Sequence, residues 1–251
     1  MKFISKIKNQ IPNDEFAIKS LNDRYINYVY DSIYREMFHI ARTRLGPLPK
    51  TTLEIGAGSL SKAEKYFNKV QLSDGSSVSK FGKENQLIAE DLPFENESFD
   101  IVLAKDTLHH FSDTEKALSE ISRVLRPGGL FIVSEPYWSL LGRFIFRFIH
   151  PEDWQPKASD LRNLSENPYD ANQATLYCLS KGKFRSRVSQ NSLSLEILGS
   201  TYGVSYLMSG GLNWRTKIPY GVLRSIDNLE RKIQSFSYIT GLNVLACFTK
   251  V

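Results

Sequence analysis

Three stretches of this 251-residue sequence carry residues whose types and spacing suit chemistry. In LEIGAG (53–58), Glu54 stands two residues before Gly56, and Gly58 follows Ala57. Glycines at a strand-to-helix turn let the backbone take positive φ and approach a ligand closely. An ordinary turn uses them too, so this pair alone separates little. A dinucleotide fingerprint would place a third glycine where Ser61 stands, and it makes no use of Glu54. Glu54 can instead accept hydrogen bonds from a cationic or hydrated ligand group. Asp74 comes second, at the end of a second strand, where a carboxylate can hold both ribose hydroxyls of an adenosine ligand. By itself before Gly75 it would read as a turn residue. Third, His109 and His110 follow a later strand, and an imidazole there can deprotonate a hydroxyl near neutral pH. The competing reading of LHH is a structural turn with one imidazole bonded to backbone; of the two residues His110 is preferred as the base. Glu135 and His150 are held in reserve for the same role.

These residues need a frame. Tyr25, Val29, Ile33, Met37 and Ile40 recur at helical intervals over 15–45, and Gly46-Pro47 ends that segment. TTLEIGAG then reads as a strand entering a turn, 61–67 as a helix, 69–74 as a second strand and 86–89 as a short third. DIVLAKD (100–106) is a fourth strand. Residues 113–125 form an amphipathic helix capped by Asp113, and 130–135 a fifth strand. Strands alternating with helices imply a parallel sheet with right-handed crossovers. The rhythm breaks over 136–190 and resumes with strands at 192–198 and 242–251 around a helix near 219–235.

The fold expected is therefore α/β and Rossmann-like, with a seven-stranded, mostly parallel sheet and helices on both faces. The chain divides into an N-terminal helical cap (1–50), a ligand-binding core (51–135), an insertion (136–190) and a C-terminal part (191–251), all within one domain.

The net charge of +5 is uneven: 51–135 is acidic, and the excess of Lys and Arg lies on either side. Such an excess suits a phosphorylated acceptor, an anionic membrane surface or a merely solubilising face. Cys178 and Cys247 form no metal-like cluster and suggest no disulfide framework. No apolar run approaches the ~20 residues of a membrane span, and MKFISKIKNQ lacks a signal-peptide core. A cytoplasmic location follows, with contact at the inner membrane face left open.

LEIGAG, then SD, then LPFENESFDIVLAKDTLHHF, then EISRVLRPGGLFIVSEP together resemble the class I S-adenosylmethionine-dependent methyltransferases. Within these, the similarity is to the group acting on small molecules and lipids, and it spans about residues 51–136. The resemblance implies S-adenosylmethionine as cofactor, with Glu54 and the backbone of Gly56, Ala57 and Gly58 at its methionine end and Asp74 on its ribose. Lys105 belongs to the same implied set. The family's adenine-binding Asp is replaced by Ile88, which leaves adenine to Ala89 and Glu90. No metal is expected, because no carboxylate cluster matches the catechol-type site.

The insertion is rich in aromatics: Trp138, Phe144, Phe146, Phe148 and Trp154. They are expected to line the acceptor site, meet a membrane or cover the core. Phe144 and Phe148 are the residues expected on the acceptor wall. Arg143 and Arg147 lie four apart among apolar residues, as in an interfacial helix. KGKFRSR (181–187) is a basic segment suited either to a phosphate or pyrophosphate of the acceptor or to a merely solvated loop. EPYW, FIHPEDW, ENPYDANQAT and LMSGGLNW resemble methyltransferases of bacterial surface-polysaccharide biosynthesis. That resemblance implies O-methylation of a sugar or other small acceptor, which can carry phosphate or a lipid. A lipid or quinone methyltransferase is the alternative; a non-catalytic cofactor-binding partner subunit is the alternative of another class. Nucleic acid has only the isoelectric point near 9.0 in its favour, and oligomeric state stays open.

Overall fold

The computed structural model describes residues 22–47, 50–58, 60–73, 87–150, 152–162, 171–210 and 217–251. The chain opens on helix α1 (Arg24–Leu45), capped by the Asp23 carboxylate, which accepts from the amides of Tyr25 and Ile26. It ends at Gly46, which adopts φ +76° and returns its N–H to Arg42 O. The expected start at residue 15 lies outside the described residues.

The strands are β1 (Thr52–Ile55), β2 (Val70–Ser73), β3 (Phe99–Lys105), β4 (Leu125–Pro136), β5 (Leu193–Tyr202) and β6 (Asn243–Lys250). They form one mixed sheet in the order β2-β1-β3-β4-β6-β5. β2, β1, β3 and β4 are parallel, whereas β6 runs antiparallel to both β4 and β5.

Helices lie on both faces because side chains alternate along each strand. Ile101 and Leu103 of β3 pack with Val29, Ile33 and Met37 of α1. Val102 and Ala104 face the other way, onto Ala117, Leu118 and Ile121 of α3 (Thr114–Val124). Cys178 and Cys247 are both free and buried, one in each of these two cores. Between β1 and β2, the expected helix is reduced to the single turn α2 (Ala63–Tyr66).

Two expectations are corrected. The described sheet has six strands, not seven, and is mixed. At the place of the third strand, residues 89–90 form a turn in which Asp91 N–H bonds back to Ile88 O, and the Ile88 side chain is 59% exposed. That bond closes the Ile88 carbonyl within its own turn and withdraws it from a sheet ladder. Residue 86 lies outside the described residues. The fifth strand also begins earlier than expected: Leu125 already pairs with Phe99, and a register irregularity absorbs Pro127-Gly128-Gly129.

After β4 come α4 (Leu140–Phe148), α5 (Thr175–Leu179) and α6 (Gly182–Gln190), which occupy the expected insertion. KGKFRSR is therefore largely a helix, not a loop. Between β5 and β6 the chain forms α7 (Val204–Ser209), α8 (Tyr220–Lys232) and α9 (Gln234–Thr240). Among the described residues no helix is long and apolar enough to cross a membrane.

Candidate active site

The carboxyl ends of β1, β3 and β4 open into one cavity of about 430 Å³, where Gly56, Lys105 and Pro136 all reach the lining. That size lies in the range of small-ligand sites, and parallel sheets bind ligands at this edge.

One wall is the turn after β1. Gly56 and Gly58 adopt φ +68° and +54°, and Ala57 N–H is bonded to Ser73 O at 2.9 Å, which ties the turn to the end of β2. A Cβ on Gly56 would lie 2.4 Å from the Thr107 side chain, whereas one on Gly58 would meet nothing. Gly56 thus lets the turn press against the segment carrying the histidines, and Gly58 leaves backbone open to a ligand.

Glu54 sits just behind this turn, buried. Tyr34 of α1 donates its hydroxyl to one Glu54 oxygen, and Ser61 donates to the other at 2.5 Å. Ser73, immediately before Asp74, has a buried hydroxyl oxygen without a hydrogen-bond partner in the structure. An unsatisfied polar atom, an open glycine backbone and a carboxylate behind them fit the polar end of a nucleoside-bearing ligand.

The opposite wall is built around Glu135, which is wholly buried at the end of β4. One of its oxygens accepts from the amides of Thr107 (2.9 Å) and Leu108 (2.8 Å), at the start of a 3₁₀ turn over Leu108–His110. The other meets His109 Nδ1 at 2.5 Å. That contact places a proton on Nδ1 and turns Nε2 toward the Glu152 carboxylate, 3.7 Å away. His110 stacks obliquely on His109, with ring centroids 4.3 Å apart. Its Nε2 lies 4.0 Å from the other Glu152 oxygen, and its Nδ1 is buried with no hydrogen-bond partner. Gln173 holds Glu152 in place by donating its amide to the carboxylate.

The two imidazoles are driven apart electrostatically. Burial depresses His109, but the charges of Glu135 and Glu152 outweigh it and raise its pKa to about 9. Burial and the neighbouring His109 hold His110 well below the ordinary histidine value. His150 is lowered to about 4, chiefly by burial and secondly by His109. Burial raises Glu152. At neutral pH one histidine is thus a fixed cation and the other a neutral imidazole.

The structure brings Gly56, Ala57, Gly58, Lys105, His109 and His110 to one cavity. Ala89 and Glu90 are not among its lining residues. Glu90 is instead engaged in accepting from Asp113 N–H at the head of α3 (2.9 Å). Asp74 lies outside the described residues. Lys105 lines the cavity with its ammonium paired to Asp106 and set 3.7 Å from the Tyr30 ring centroid. None of 181–187 lines the cavity; Arg187 of that stretch pairs with Glu115.

Phe144 and Phe148 are exposed outside the cavity; their neighbours Ile145 and Phe146 form its wall, because these are the positions of α4 that face inward. Sequence reasoning missed Tyr30 and Tyr34, which sit on the apolar stripe of α1, and Glu152, within the motif FIHPEDW. A tyrosine pair four apart on a helix otherwise faced with Val, Ile and Met was the available signal.

Residues 51–133 match the methyltransferase domain family. Residues 51–133 are a methyltransferase domain by this match. Over 49 residues it is 47% identical to the uncharacterized methyltransferase YcgJ of Bacillus subtilis, covering 20% of this chain and 19% of that one. Over 47 residues it is 40% identical to a sarcosine/dimethylglycine N-methyltransferase of Aphanothece halophytica, covering 19% and 17%. The chain thus matches under a fifth of the length of these relatives. The crystal structure of the Bacillus YcgJ protein aligns with 86% of this chain and 98% of its own at 20% identity, with a TM-score of 0.47. S-adenosylmethionine is the cofactor of such a domain. Its methyl sulfonium supplies the electrophile; of the residues expected to hold it, Gly56 to Gly58 line the cavity and Glu54 is buried behind them.

Proposed function

We propose that this protein transfers a methyl group from S-adenosylmethionine to a hydroxyl of a small polar acceptor such as a sugar, with His110 as general base. The observation that carries the reading is the unpartnered, buried Nδ1 of His110 at the cavity, backed by Glu152.

Methyl transfer is an in-line displacement for which alignment supplies much of the rate. A hydroxyl holds its proton too tightly to ionise at neutral pH, so it gains from a base in a way that a neutral amine does not. His110 keeps its lone pair at neutral pH because burial and His109 depress its pKa. As His110 takes the proton on Nδ1, its Nε2–H faces the Glu152 carboxylate, which offsets the new charge. His109, protonated between Glu135 and Glu152, keeps both carboxylates oriented.

Among the described residues Lys105 is the one Lys or Arg lining the cavity, and its ammonium is already paired with Asp106. That supports an uncharged polar acceptor over a phosphate at the reacting end. The apolar Ile145 and Phe146 on the same lining suit one face of a sugar ring or the apolar part of a lipid-linked acceptor.

The pH–rate profile under saturating cofactor tests the base. With His110 as base, the rate stays level from pH 9 down through ~6.5, the ordinary histidine value, and falls only in more acid solution. A rate that climbs tenfold per pH unit up to about 9 would transfer the role to His109. Turnover of amines with none of hydroxyl acceptors would sink the O-methylation reading.

A further inference from the structure

We infer that the outward face of α4 docks on an anionic phospholipid bilayer. The helix reads LLGRFIFRF, and burial divides it cleanly. Gly142, Ile145 and Phe146 are buried, and the latter two line the cavity. The outward positions are Leu140, Arg143, Phe144, Arg147 and Phe148, at the i, i+3, i+4, i+7, i+8 spacing of one helix face.

Soluble helices turn polar residues outward. Here the outward face holds three large apolar side chains and two arginines. Leu140, Phe144 and Phe148 are 68%, 54% and 48% exposed, and the two phenyl rings touch, with centroids 5.4 Å apart. The patch continues onto α9. Ser139, the cap of α4, donates its hydroxyl to Gly241 O at 2.5 Å, just beyond α9. Tyr238 and Ile239 of α9 are 70% and 49% exposed, and Tyr238 and Arg143 both act electrostatically on the Tyr137 hydroxyl.

Charge selects the occupant. Residues 136–148 contain Arg143 and Arg147 and no Asp or Glu, and Arg143 and Lys181 both lie against the Tyr177 ring, 5.9 and 4.5 Å from its centroid. Arginines interleaved with aromatics match an interface of anionic headgroups over acyl chains. A second copy of this chain fits poorly, since a two-fold contact would set these arginines against each other without an acid on the helix to pair them. Because the inner face of the same helix lines the cavity, docking would hold the site one helix away from the membrane surface.

The test is co-sedimentation of the whole protein with vesicles of phosphatidylcholine containing phosphatidylglycerol, and with phosphatidylcholine alone. Binding is expected to the anionic vesicles only and to weaken as salt screens the arginines. R143Q/R147Q should weaken it at least ~10-fold, and F144S/F148S should reduce it to background. All four positions are exposed, so thermal unfolding should be unchanged and certify the variants as folded. Failure of the wild type to bind anionic vesicles would overturn the inference, as would wild-type binding by both variants. A concentration-dependent dimer that F144S/F148S dissociates, without vesicle binding, would assign the face to a second copy instead.

Discussion

The glycine wall and the histidine wall of the cavity are built on opposite plans. On the first, the polar side chain is already partnered: both Glu54 oxygens are held, by Tyr34 and Ser61, and the turn is pinned to β2. What it offers a ligand is backbone, fixed before anything binds. On the second, five titratable side chains from three segments crowd together, and one of them, His110, has a buried nitrogen with nothing to bond. The contrast separates two tasks. Holding a constant ligand favours a rigid surface, whereas moving a proton needs a titratable group left unsatisfied in a low-dielectric setting. The walls are nevertheless one unit, because Gly56 packs on Thr107 with no room for a side chain.

The largest effect expected from breaking this division is on the histidine wall. His110→Gln removes the free lone pair while keeping the shape. It should lower kcat by ~10²-fold or more, with S-adenosylhomocysteine affinity by calorimetry close to wild type. Loss of cofactor binding in a folded variant would show that the walls do not divide the work.

Next is Glu135→Gln, aimed at the support of that wall. Removing one partner of a buried pair should cost about 3 kcal/mol of stability by chemical denaturation. The pH dependence carries a sharper signature. His109 has a folded pKa near 9, above its ordinary ~6.5. It therefore adds stability that is full below ~6.5 and is lost as pH rises toward 9. His110 and His150 are depressed, so they add the opposite limb: stability falls as pH drops below ~6.5. Glu135→Gln should flatten the alkaline limb and leave the acid limb. An unchanged alkaline limb would mean that His109 does not titrate against Glu135.

The smallest expected effect is on cofactor affinity. Asp74→Ala should weaken S-adenosylhomocysteine binding about tenfold, or ~1.4 kcal/mol, without altering the pH–rate profile. A shift in that profile would mean that the carboxylate reaches the acceptor side.

Much of the glycine wall was legible in LEIGAG. A strand, a turn and the glycines that permit it are contiguous, so their relation is set by local backbone geometry and carried by spacing. The same holds for α3, where Asp113 caps the helix whose apolar face was read from its period. The histidine pair was legible as a position, at the end of a strand. Its partners were not, since Glu135 lies 26 residues from His109 and Glu152 a further 17 beyond Glu135 in a segment without strand–helix rhythm. The third strand failed for a related reason. Residues 86–89 had the composition of a short strand, but pairing is a property of two segments, and Ile88 closes its bond within its own turn.

The sequence by itself determined the alternation of strands and helices, the glycine turn and which strand ends carry polar residues, because hydrophobic period and turn chemistry act over a few residues. Only the tertiary structure decided that β6 runs against its neighbours and that Tyr34 and Ser61 hold Glu54. It also decided that Phe146 faces the cavity while Phe144 and Phe148 face outward. Above all, it made two adjacent histidines electrostatically unlike. Burial and neighbouring charge, which set a pKa, depend on what the fold places within a few ångströms, and adjacency in the chain does not encode that.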